Sequence, residues 1–173
     1  KETNISKRVI VVLGGGIQQT RCINRCKKLG FITCCFDMNE KCEGANASDS
    51  FFKISIKNYD AIQLIVSKLH NVVAILAPAT DIGNITASRI ARKFGLLYNN
   101  VEVVFETSNK SLMRKKINSL GLANPDYFIL NNKFPCNPDS YIEKSNVQFP
   151  CIVKPVDSSA GRGISICESQ EEL

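Results

Sequence analysis

The feature that most constrains this chain is its alternation, from residue 8 to residue 95, of short apolar runs with longer amphipathic stretches. Residues 8–13 (RVIVVL) are apolar and rich in β-branched side chains, and they break at once into Gly14, Gly15 and Gly16. That is the pattern of a buried parallel strand entering a tight turn. Residues 17–29 carry Ile17, Cys22, Ile23, Cys26 and Leu29 at helical spacing, and Gly30 is a natural stop. A second strand over 31–36 closes on Asp37. A polar stretch over 39–50 leads to a third strand at 51–56, a helix at 60–69, a fourth strand at 72–76 and a helix at 85–94 that stops at Gly95. Strands alternating with helices of this length build βαβ units. The expectation is an α/β, Rossmann-like domain over residues 1–107: a parallel sheet with helices on both faces.

The texture then changes. Residues 109–120 read as a basic helix stopped by Gly121, and residues 126–130 as a short strand. Residues 131–146 are polar, hold Pro135 and Pro138, and read as irregular. Two strands, 149–155 and 164–167, flank a loop of small residues from Asp157 to Gly163 and should pair antiparallel. Residues 108–173 are thus expected to begin a second, α+β region. Ser169 and Glu172 have the spacing of a capping box. A helix start followed only by Leu173 reads as a domain cut short.

Charge and composition exclude several classes. The net charge of +6 comes from 22 Lys and Arg against 16 Asp and Glu, and the basic residues are scattered apart from Arg114, Lys115 and Lys116. With no aromatic platform beside that trio, a solvated helix face is expected rather than a nucleic-acid surface. No apolar run reaches the roughly 20 residues a membrane span needs, and no signal-peptide core opens the chain. The eight cysteines form no C-x-x-C. Cys34 and Cys35 should point to opposite faces of one strand, and Cys151 and Cys167 lie in expected core strands. They read as small buried hydrophobes in a reducing, cytoplasmic compartment. The single histidine, His70, reads as a solvated residue at a helix end.

Three segments carry candidate chemistry. Gly14, Gly15 and Gly16, with Asp37 at the end of strand two, could bind a dinucleotide, or form a tight turn with no ligand. Gln19 stands where the third glycine of a G-x-G-x-x-G would be. Thr80, Asp81 and Asn84 lie at the carboxyl end of a later strand and would face the same crevice. Asp81 could pair with an amine or cap the following helix. Lys154 ends an apolar strand, where an unpaired ammonium would be costly, and supplies a point charge beside a loop whose backbone amides could cradle phosphate. That loop is not a Walker A motif.

The stretch from Phe149 through Lys154, Pro155, Val156, Asp157, Ser158, Ser159, Ala160, Gly161 and Arg162 to Gly163 closely resembles the second ATP-binding strand and glycine-rich loop of ATP-grasp enzymes. The branch concerned holds biotin carboxylase, the carbamoyl phosphate synthetase large subunit and the purine-pathway (phosphoribosylglycinamide) ligases. Upstream, Asn109, Lys110 and the helix that ends at Gly121, followed by Pro125, resemble that family's first lysine segment. The α/β domain matches the preATP-grasp domain in position and length. The resemblance implies an N-terminal part of an ATP-dependent ligase that activates a carboxylate as an acyl phosphate for attack by an amine. It implies nucleotide contacts from Lys110, Lys154, Ser158, Ser159, Gly161 and Gly163. A substrate crevice would be lined by Gly14, Gly15, Gly16, Thr80, Asp81 and Asn84. ATP and Mg2+ are the implied cofactors, with the metal ligands beyond Leu173. Ala160 departs from the glycine or serine common in the loop. Ile17, Gln18, Thr80 and Asp81 stand where the formate-dependent purine transformylase holds its ribotide with glutamates, so the ribotide does not carry over residue by residue. Small-molecule carboxylate and amine substrates are expected, no nucleic acid or membrane, and a homodimer as one expected assembly. The rival expectations are an NAD(P)-dependent Rossmann oxidoreductase and a non-catalytic ATP-grasp relative. A further expectation is that the loop from Asp157 to Gly163 moves as a lid without nucleotide.

Overall fold

The computed structural model describes residues 7–130, 146–158 and 161–173. The chain divides into two compact units, Lys1–Phe105 and Glu106–Leu173.

The first unit is built on four parallel strands, β1 (Val9–Leu13), β2 (Ile32–Asp37), β3 (Ser50–Lys53) and β4 (Val72–Leu76), in the spatial order β3-β2-β1-β4. Every residue of β1 is buried, as a central strand covered on both faces must be. Alternate side chains feed two separate cores. Val9, Val11, Leu13, Cys34, Phe36 and Ile75 pack against Ile62 and Val66 of α3 (Tyr59–Val66) and against Ala87, Ile90 and Ala91 of α4 (Asp81–Phe94). Ile10, Val12 and Cys35 pack against Ile23 and Cys26 of α1 (Ile17–Lys28) on the other face. Helices therefore cover both faces, as the alternating pattern predicts. Cys34 and Cys35 enter different cores, also as predicted.

Three elements differ from the sequence expectation. A short helix, α2 (Glu43–Ala47), interrupts the polar stretch 39–50. Its composition is poor for a helix, but Gly44 lies on the Gly15 backbone and its N–H donates to the Gly15 carbonyl at 2.8 Å, so tertiary contact overrides propensity. α4 starts at Asp81, four residues before the expected position, because the Thr80 hydroxyl accepts from the Gly83 N–H at 3.2 Å. A Cβ on Gly83 would overlap the Thr80 methyl, so the glycine that read as loop is what admits this cap. A further helix, α5 (Val101–Ser108), falls where no helix was expected. Valine, phenylalanine and threonine are weak helix formers, but the Asn100 side chain accepts the Glu102 N–H at 2.8 Å and starts the turn.

The second unit holds α6 (Lys110–Ser119), capped by Asn109 through Ser111 and Leu112, and an antiparallel pair, β5 (Cys151–Val153) and β6 (Ser165–Cys167). No strand forms over residues 126–130. The one ladder described in this unit joins β5 to β6, and Tyr127, Phe128, Ile129 and Leu130 instead line an open cleft beside α6. The expectation for residues 131–145 lies outside the described residues. The capping box at Ser169 is also not made. Glu172 accepts the Glu168 N–H at 2.8 Å, and the Ser169 hydroxyl donates to Glu171, around a 3-10 turn at Gln170–Glu172. His70 lies exposed beyond the end of α3, not within it.

Candidate functional site

The strand order places β1 between β2 and β4, so the direction in which strands are added reverses at the β1–β4 junction. In open parallel sheets the crevice outside the carboxyl ends of such a pair is where ligands bind. The two loops that leave those ends are Gly14–Gly16 and residues 77–80, both singled out in the sequence. The structure brings them together: Gln19 Nε2 donates to the Pro78 carbonyl at 2.5 Å across the crevice. Ala79, between Pro78 and Thr80, has φ 55°, a left-handed conformation that costs a non-glycine residue about 1 kcal/mol or more.

The glycine turn itself is packed shut. A Cβ on Gly15 would overlap the Cys42 sulfur and approach Asp37. A Cβ on Gly14 would lie 3.1 Å from Gln19 Cγ, and Gln19 is only 9 % exposed. Asp37 accepts the Gly15 N–H through Oδ2 and the Asn39 N–H through Oδ1, both at 2.8 Å. Its carboxylate braces the turn, each oxygen accepting one backbone N–H and keeping a further lone pair. That bracing accounts for Asp37 without a ribose, so its place at the end of β2 does not favour the oxidoreductase reading.

Around the other loop, Thr80 is the helix cap, and Asp81 is exposed in the first turn of α4 rather than being the cap. The Asn84 side-chain oxygen accepts from the Tyr98 hydroxyl at 2.5 Å, so it ties α4 to the segment that follows. Burial pushes the Tyr98 hydroxyl above its ordinary pKa. Ile17, at the first position of α1, is 61 % exposed. Its exposure at this crevice is not visible from helical spacing, which assigns it to the buried face.

The second candidate site lies wholly within the second unit. Lys110 meets the loop twice: its N–H donates to the Val156 carbonyl at 2.8 Å, and its Nζ donates to the Ser158 carbonyl. Two motifs 48 residues apart are thereby held together. Gly161 and Gly163 have φ 74° and φ 70°, and a Cβ on Gly161 would meet nothing within 4 Å. Lys154 is exposed just past the end of β5, so the expectation of a desolvated ammonium is corrected: water reaches it. Arg114, one turn beyond Lys110, lines the same cleft and donates to the Asn124 side chain at 2.6 Å. Sequence reading set it aside as solvated. The i, i+4 spacing from Lys110 was the signal that could have found it. Ser159 and Ala160 lie outside the described residues, as does any account of the whole lid.

Among the described residues no metal centre emerges, and burial disfavours the thiolate at four cysteines. Burial and the neighbouring Cys26 push the Cys22 thiol up to about 11; burial and nearby acidic groups push Cys35 up to about 12; and Cys34 and Cys151 are raised mainly by burial. Protonated thiols are poor nucleophiles. Among the described residues no three His, Cys, Asp or Glu side chains come together to hold a metal ion.

No family model matches the chain. It is 25 % identical over 170 residues to the formate-dependent phosphoribosylglycinamide formyltransferase of Bacillus subtilis, a match covering 97 % of this chain and 42 % of that protein. The enzyme of the same name from Methanocaldococcus jannaschii is 25 % identical over 165 residues, covering 94 % and 41 %. Among solved structures, N5-carboxyaminoimidazole synthetase from Staphylococcus aureus complexed with ADP superposes with a TM-score of 0.75 at 16 % identity, over 95 % of this chain and 42 % of that one. Phosphoribosylglycinamide synthetase from Anaerococcus prevotii gives 0.67 at 23 % identity, over 96 % and 40 %. The chain thus spans about two fifths of the length of these relatives. The relatives are ATP-grasp ligases of the purine pathway, and the parallel sheet matches the N-terminal preATP-grasp region of their structures. The resemblance drawn from the two lysine motifs is borne out.

Proposed function

We propose that the whole protein is an ATP-dependent ligase that activates a carboxylate as an acyl phosphate for attack by an amine. The observation that carries this reading is the double attachment of Lys110 to the loop after β5. It sets an ammonium against a segment whose glycines adopt left-handed backbone, the arrangement that presents amide N–H groups to an anion. Lys110, Lys154, Ser158, Ser159, Gly161 and Gly163 would contact the nucleotide, and a relative of similar fold was solved with ADP. Residues 1–107 would form the substrate-side domain and residues 108–173 the start of the nucleotide-binding one. The switch-point crevice, with Gly14, Gly15, Gly16, Thr80, Asp81 and Asn84, would take the substrate. Asp81 is exposed there and suits an amine.

The names of the curated relatives suggest formate as the carboxylate and a phosphoribosylglycinamide amine. Ile17 at the crevice argues for a substrate that tolerates an apolar neighbour. No helix among the described residues is long and apolar enough to cross a membrane, and a cytoplasmic, small-molecule enzyme is the reading we adopt. The test is ATP-dependent phosphate release by the whole protein with formate and a panel of amines. Lys110→Met should abolish saturation by ATP in the accessible range, whereas ATP kinetics unchanged by that substitution would overturn the proposal.

A further inference from the structure

The hairpin that carries the candidate phosphate loop closes on two cysteines. Cys151 and Cys167 are direct partners in the antiparallel register of β5 and β6, followed by Ile152 opposite Ile166 and Val153 opposite Ser165. Directly opposed residues of an antiparallel pair stand about 4.5–5.5 Å apart at Cα. A disulfide spans Cα separations of roughly 4.4–6.8 Å. The two side chains also leave the same face of the hairpin, while Ile152 and Ile166 leave the other and stand 61 % and 65 % exposed. Both thiols are free. Cys34 and Cys35, adjacent in β2, lack this placement because they point into opposite cores.

We propose that Cys151 and Cys167 are a modification site: a dithiol that a small-molecule disulfide oxidises to a cross-strand bond at the root of the loop. Cys151 is the more accessible of the two, since Cys167 is 3 % exposed and its thiol donates to the Glu172 carbonyl. The Cys151 thiolate therefore attacks the sulfur of the oxidant R–S–S–R, having given its proton to water, and expels one RS−. The Cys167 thiol then loses its proton and attacks the Cys151 sulfur of the mixed disulfide, expelling a second RS−. Two protein thiols are oxidised and one small disulfide is reduced to two thiols. The ring so formed encloses every residue from Ile152 to Ile166, including Lys154 and the loop. It leaves the first unit untouched.

The test is oxidation of the folded chain with oxidised glutathione, alkylation of remaining thiols, digestion and mass spectrometry. The expected result is an intrachain Cys151–Cys167 link, with Cys34 and Cys35 recovered as alkylated thiols once the chain is unfolded. Cys167→Ser should stop the reaction at a glutathione adduct on Cys151, and Cys151→Ser should give neither link nor adduct at this hairpin. Circular dichroism confirms that each variant is folded, and a variant that is not is replaced by the alanine one. Full alkylation of both cysteines after oxidation, a stable Cys151 adduct in the unaltered chain, or a link from either cysteine to a different one would each overturn the proposal.

Discussion

Two glycine-rich loops follow apolar strands in this chain, and one glycine of each, Gly15 and Gly161, is used in the opposite way. After β1, Gly15 is glycine because the Cys42 sulfur stands where a Cβ would go, and Gly44 of α2 is glycine because the Gly15 backbone does. After β5, Gly161 faces open space and is glycine for its left-handed backbone. The first loop is braced by Asp37, Gln19 and α2. The second is held at Val156 and Ser158 by Lys110. Glycine content marks both alike. The space around Gly15 and around Gly161 is what separates the two loops, since Gly163 also packs, against Pro155.

The comparison breaks most visibly in stability. Gly44→Ala would set a Cβ 2.6 Å from the Gly15 Cα, where backbone cannot yield, and should cost about 3 kcal/mol in urea unfolding. Gly15→Ala, against a side-chain sulfur that can shift, should cost roughly 1–3 kcal/mol. Gly161→Ala meets only the left-handed penalty and should cost about 1 kcal/mol. Equal losses at Gly44 and Gly161 would erase the distinction.

A smaller effect separates the acids. Asp37→Ala removes a carboxylate that accepts two backbone N–H groups and should cost about 2 kcal/mol, whereas Asp157→Ala, exposed in the second loop, should change the unfolding midpoint little. Smaller again is a pH effect in the first unit. Burial raises the Asp49 carboxyl, but the Thr33 N–H and hydroxyl and the Lys27 ammonium outweigh it and leave its pKa below the ordinary value. A carboxyl depressed in the folded state stabilises above its unfolded pKa of about 3.9, and the contribution is lost as pH falls through the folded value. Asp49→Asn should therefore flatten the drop in urea midpoint between pH 5 and pH 2.5, and an unchanged drop would remove Asp49 from the account.

Much of the fold was legible. The β-branched runs and helical spacing located all four parallel strands and α1, α3, α4 and α6, because burial on both faces leaves a strong pattern in RVIVVL and its partners. The failures have physical causes. α2 depends on a contact between Gly44 and Gly15 that no local pattern encodes, and residues 126–130 are apolar because they line a cleft rather than a ladder. At the site, the spacing of Lys110 and Lys154 was readable, but the closure of the Gly14 turn was not. It rests on Cys42, Gln19 and Asp37 converging from three segments. Lys154 carried the argument for burial in the sequence, and the structure shows it in water.

The central claim is that the loop after β5, and not the glycine turn after β1, receives the phosphates of ATP. Amide proton–nitrogen spectra of the chain, titrated with ATP to millimolar concentration, test it residue by residue. The account predicts shifts at Lys110, Val156, Ser158, Gly161 and Gly163, with Gly14, Gly15 and Gly16 unmoved. Shifts centred on Gly14–Gly16 with the second loop unmoved would contradict it.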